Sequence, residues 1–216
     1  DAKGFGGLKM TLFRDQLDFV KSPSSFATRL VADSRAVLVG FRHVLAIAIL
    51  YEGAILLWAL GADDVTLPAF LQIPEQQYYF YELIFLIPLF ILTWLLASAI
   101  AYVFSKALGG RGSYDALLGG FGLTMAVSAY FTLIPDYIQG ILWTTGWVPF
   151  SEYQEITGRG ILLIIVWVYI LAYTLSHILL YSMTIHHTQS LGGFKSTLVG
   201  IVSFVGSFAI WITFVR

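Results

Sequence analysis

Five stretches of about twenty residues run almost without charge, at 43–61, 81–108, 116–134, 160–185 and 194–215. At about 1.5 Å of rise per residue, roughly 20 helical residues cross the hydrocarbon layer of a bilayer. Lipid offers no water to the backbone, so a spanning segment must satisfy its own N–H and C=O groups, as a helix does. The pattern predicts an all-α polytopic membrane protein with five transmembrane helices. Composition leads to the same place. Of the 216 residues, 58% are hydrophobic and 12% charged, where a soluble domain carries about 25% charged residues. Residues 1–7 lack the apolar run of a signal peptide.

The spans follow an N-terminal segment, residues 1–42, that reads as amphipathic and interfacial, leaving 43–216 as the membrane domain. Leu12, Phe13, Leu17 and Val20 recur at near-helical spacing. Ser22-Pro23 looks like a helix start, with serine at the cap and proline in the first turn. Phe26, Leu30, Val31, Val37, Leu38 and Phe41 continue the stripe, with Arg29 and Arg35 off it. Such a segment either lies on an anionic membrane face or packs against the bundle.

The connections carry their own signals. Pro68 and Pro74 break helix after the first span, and Tyr78, Tyr79 and Tyr81 read as an interfacial aromatic cluster. Pro88 is expected to kink the second span. In the hinge at 106–115, Gly109 or Gly110 stops the second helix, Ser113 caps the third, and Asp115 falls in its first turn. The third span is rich in Gly119, Gly120, Gly122 and Ala126, and the fifth carries Gly200 and Gly206. Small residues let helices approach closely, which predicts a central third helix and packing faces on both. Pro135-Asp136 is expected to end the third helix, with 137–159 an interfacial loop that has room for a short helix and 186–193 a tight polar turn.

Charge decides orientation. Seven of the twelve Lys and Arg residues lie at or before Arg42. With Lys106, Arg111 and Lys195 they fall on one side of a five-span chain, leaving Arg159 and Arg216 on the other. The positive-inside rule puts the N-terminus in the cytoplasm and the C-terminus outside. Trp58, Trp143, Trp147 and Trp211 then share the outer interface.

Chemistry is sparse. Glu52 interrupts the first span, and His177 lies at a comparable depth in the fourth. A contact between them would make either a proton or ion relay or a polar clasp; alone, His177 is satisfied by Thr174 or a backbone carbonyl. Adjacent His186 and His187 point about 100° apart on a helix and do not chelate by themselves, so no metal ligand set is assigned. The hinge glycines fit neither a P-loop nor a dinucleotide fingerprint. The basic residues Lys106, Arg111, Arg29, Arg35 and Arg42 are candidate contacts for lipid phosphates or a partner. No catalytic motif is present, no cofactor is expected, and the net charge of −1 gives no case for nucleic acid.

Three features resemble the Yip-domain family, the Ypt/Rab-interacting proteins and their prokaryotic relatives. Gly109-Gly110-Arg111-Gly112-Ser113-Tyr114 is similar to the family's turn between its second and third spans, with Arg111 where lysine is frequent. Ser22-Pro23-Ser24-Ser25-Phe26 resembles its Pro-x-x-Phe entry. The five-span layout, with Trp167 in the fourth span, is the third. The resemblance implies a non-enzymatic integral membrane protein, of the prokaryotic plasma membrane in this case. The expected role is a scaffold or adaptor that associates with other membrane proteins, with itself, or with membrane lipids. An accessory subunit of a larger energy-converting complex, and a small transporter using Glu52 and His177, are the alternatives.

Overall fold

The computed structural model describes residues 12–62, 65–66 and 70–215, and every regular element among them is helical. Two short helices, α1 (Leu12–Lys21) and α2 (Pro23–Ala32), precede α3 (Ala36–Gly61). A 3₁₀ turn at Glu75–Gln77 leads into α4 (Tyr78–Ala107), followed by α5 (Tyr114–Thr144), the short α6 (Phe150–Thr157), α7 (Gly160–Gln189) and α8 (Gly193–Phe214). Helices α3, α4, α5, α7 and α8 are long and apolar enough to cross a membrane. The helix break expected at Pro68 lies outside the described residues.

The five long helices form a ring. Helix α3 packs on α5, α5 on α7, α7 on α8, α8 on α4, and α4 back on α3, with a further crossing of α4 against α5. The Trp94 indole marks that crossing by donating to the Leu118 carbonyl at 2.8 Å. It closes the ring at the end that carries the hinge, α1 and α2.

Helix α5 is central, as its small residues predict: 72% of its apolar stretch is buried, against 6% for α7. The α3–α5 pair is the tightest. Gly122 lies against the Gly40 backbone, and a Cβ at Gly119 would come within 2.7 Å of the Ala36 carbonyl. Gly120 meets Thr184 on α7, and Ala126 is fully buried. On α8, Gly200 accommodates Ser182 and Gly206 accommodates Ile100. These small residues pack against helices of the same chain.

Several element boundaries differ from expectation. The first span begins at Ala36, so Leu38, Phe41 and Arg42 belong to α3. Helix α5 continues through Pro135 to Thr144. Proline removes one helical hydrogen bond, and tertiary contact carries the helix past the gap. Gly140 packs on Leu57 and Trp58, and the Trp143 ring lies 5.4 Å from that of Trp58. The 137–159 stretch is therefore helix at its start, and α6 is a short helix of the kind expected within it. Helix α7 runs to Gln189 and stops at Ser190, which is left-handed with φ 55°. Tyr78 and Tyr79 turn inward; the Tyr78 hydroxyl donates to the Phe214 carbonyl at 2.9 Å.

Helices α1 and α2 pack on the bundle through Phe19, Phe26 and Leu30, which meet Ala36 and Leu123. Tyr130 donates to Gln16 at 3.2 Å. The apolar residues Phe13, Leu17 and Val20 share the opposite, exposed face of α1.

Candidate functional site: a vestibule around Asp136

At the end of the bundle that bears α6, the ring opens. From Gly160 to Thr174 no residue of α7 is buried, because α7 meets α5 closely only further along. There Phe121 and Tyr181 stack at 4.0 Å, and Thr124 meets Thr184 at 3.3 Å. The space left between α5, α7 and α6 is a cavity of about 440 Å³, lined by Trp58, Asp136, Gln139, Tyr153 and Tyr169 among others. A second cavity of about 280 Å³ shares Trp58, Thr66, Asp136 and Ile170 with it and runs inward past Tyr51, Tyr173 and Trp211. A third shares Tyr51, Tyr173, Phe208 and Trp211 and ends at His177 and Ser207. It holds only about 20 Å³, room for about one water. The three form one vestibule, wide at the α6 end and narrow toward the hinge end.

Asp136 is the carboxylate of this vestibule. It comes eight residues before the end of α5, or about 12 Å along the helix axis at 1.5 Å per residue, a depth near the polar boundary of a bilayer. The Trp58 indole donates to its backbone carbonyl at 2.8 Å. Its carboxylate, facing both outer cavities, makes no hydrogen bond or ion pair with any described residue. Among the described residues no Lys, Arg or His lines either cavity. On α6, burial pushes the Tyr153 hydroxyl up to about 12, and Tyr169 and Asp136 add to that shift, against a hydrogen bond with Gln139. The wall around Asp136 is thus aromatic and hydroxyl-rich, with one uncompensated acid.

The Glu52–His177 pair is not formed. His177 is buried among the rings of Tyr173, Tyr181 and Phe204, with Nδ1 3.3 Å from the Tyr173 carbonyl. Glu52 is half-buried on α3 against the Ile87 backbone. No hydrogen bond or ion pair joins them among the described residues. In the sequence both residues stand out as lone polar groups within apolar spans, whereas Asp136 follows Pro135 and has the pattern of a helix end. Fully buried Glu82 likewise falls at the edge of its span.

The basic candidates gather at the hinge end. Arg29 pairs with Asp18 at 3.6 Å and lies over Phe26, and Arg35 pairs with Asp33 at 3.5 Å. Arg42 borders a small cleft with His43 and Asp15. Lys106 lies over the Tyr102 ring at 5.2 Å. The hinge is a joint. Gly109 takes φ 93°, Ser113 caps α5 by accepting from the Ala116 N–H at 3.2 Å, and the Arg111 N–H donates to the Gln189 carbonyl at 3.0 Å. Gln189 returns a bond to the Ser113 carbonyl, and Lys195 reaches the Leu108 carbonyl at 3.1 Å. His186 and His187 contact each other, and His186 Nδ1 also meets the Leu191 carbonyl. Among the described residues no three His, Asp or Glu side chains gather as a metal site.

No family model, curated protein or solved structure matches this chain.

Proposed function

We propose that the protein is a non-catalytic integral membrane protein of the Yip-domain type, acting as an adaptor that binds an amphiphilic molecule of the bilayer in the Asp136 vestibule. One observation carries this reading: the ring of helices is sealed at one end and open beside α7 at the other, with a lone acid at the mouth and aromatic and aliphatic walls behind it. Ligand cavities are concave, mostly apolar and marked by a few placed polar groups. The exposed flank of α7 is the surface for a membrane partner. The basic residues of the hinge end support a cytoplasmic N-terminus in a prokaryotic plasma membrane.

The absence of cysteine from the sequence makes a clean test available. A single cysteine at Thr132, carrying a bimane, reports on the vestibule in nanodiscs. Brominated acyl chains are expected to quench it, and aqueous iodide is not. Quenching by iodide alone would mean that water fills the space and would overturn the reading.

A second reading rests on the continuity of the vestibule from Asp136 to His177: a proton or ion path along Asp136, Tyr173 and His177, with Glu52 outside it. It requires the constriction at His177 to widen. Flux in proteoliposomes above that of empty vesicles, abolished by His177→Ala, is the result that would favour it.

A further inference from the structure

We infer that the vestibule selects an amphiphile whose head carries an ammonium group, with Asp136 and the surrounding rings as the head site. The inference rests on the groove-binding reading above and adds the chemistry of the ligand.

The argument begins with cost. A carboxylate at membrane depth is expensive unless it is neutral, hydrated or paired. Among the described residues Asp136 has no cationic partner, and those that line the cavities supply none. The connection between α3 and α4 supplies none either, because residues 62–80 contain no Lys or Arg. Arg159, which follows the lining residue Gly158, is engaged with Glu155.

The surroundings then specify the cation. Trp58, Tyr153 and Tyr169 line the outer cavity with Asp136, and Tyr51, Tyr173 and Trp211 line the inner one. Aromatic faces attract cations through their quadrupole, most strongly where water is excluded, and rings around an acid suit alkylammonium heads. A compact, strongly hydrated metal ion would want several oxygen ligands, and only one carboxylate is present. Behind the rings, Ile55, Phe208, Ile212 and Val215 give the inner cavity an apolar wall. That wall fits a tail. Depth agrees: the acid lies near the polar boundary, and the third cavity carries the apolar lining inward past Phe90 and Met125. Two sources supply this chemistry, a phospholipid with an amino head and a free amphiphilic amine.

The test uses the full chain in nanodiscs of phosphatidylglycerol, which contributes no ammonium. Two photoactivatable probes share one alkyl tail; one ends in a trimethylammonium and the other in an alcohol. The ammonium probe is expected to label residues of α5, α7 and α8 about tenfold more than the alcohol, the ratio for about 1.4 kcal/mol of preference. Asp136→Asn is expected to reduce ammonium labelling to the level of the alcohol, and Asp136→Glu to retain most of it. Equal labelling of the wild type by both probes would overturn the ammonium inference and leave groove binding intact. Labelling by neither probe would overturn both. The wild-type comparison stands even if a variant fails to fold. Adding phosphatidylethanolamine separates the sources: competition with the probe identifies a lipid head, and its absence identifies a free amine.

Discussion

The Trp58 indole reaches across from α3 to the backbone carbonyl of Asp136 on α5, at 2.8 Å. The bond ties the helix just past Pro135 to its neighbour and leaves the Asp136 side chain turned to the vestibule. Trp58 also meets the rings of Tyr79 and Trp143, each at 5.4 Å. Trp58→Phe keeps most of the ring packing and removes the donor. It is expected to cost about 1 kcal/mol, seen as a fall of about 2–4 °C in the Tm of the detergent-solubilised protein. An unchanged Tm would mean that the bond does not hold the vestibule wall.

The hinge glycines differ in kind. Gly109 has positive φ and open space around it, so Gly109→Ala is expected to cost about 1–2 kcal/mol of backbone strain and leave the joint assembled. Gly112 lies against the Thr188 carbonyl, and a Cβ there would collide with it. Gly112→Ala is expected to push the hinge off the end of α7 and break the Arg111–Gln189 bond. Hydrogen exchange at the Arg111 amide reads this directly. Rapid exchange is expected in Gly112→Ala and slow exchange in Gly109→Ala.

Asp15 is buried on α1 with one carboxylate oxygen unbonded. Burial holds its carboxyl above the ordinary 3.8, against the opposing influence of His43 and Arg29 and the small opposite contributions of Asp18 and Arg14. A raised acid costs the folded state stability once the unfolded chain ionises. The cost is absent below about pH 4, grows as pH rises from there to the folded-state value, and is constant above it. Asp15→Asn should therefore raise Tm at pH 7 and have little effect near pH 3.5. A gain that does not change with pH would contradict this origin.

Orientation is tested by labelling single cysteines in intact cells. Ser151→Cys on α6 is expected to react with a membrane-impermeant maleimide, and Phe194→Cys, exposed at the start of α8, is not. The reverse pattern would turn the protein over in the membrane and put the vestibule mouth on the cytoplasmic side.

The five spans were legible because lipid demands long apolar helices whatever their neighbours. The hinge was legible because caps and positive-φ glycines are local: Ser113 and Gly109 do what their residue types favour. What was hidden depended on pairing. Pro135 reads as a stop in isolation, yet Gly140 and Trp143 find Trp58 and keep the helix going. Glu52 and His177 match in depth, but rotation about each helix axis, which hydropathy does not encode, turns one toward α4 and the other to the centre of the ring. Gly119, Gly120 and Gly122 announced close packing without saying that their partners were α3 and α7 of the same chain. Asp136 was missed for the same reason as Pro135: its role depends on the helix that continues past it.

Native mass spectrometry of the protein released from its own membrane in mild detergent tests the vestibule most directly. The expected spectrum contains the monomer with one retained amphiphile, lost when Ile170→Trp fills the space between the two outer cavities. A wild-type spectrum of bare protein, or retention undiminished in Ile170→Trp, would contradict the account.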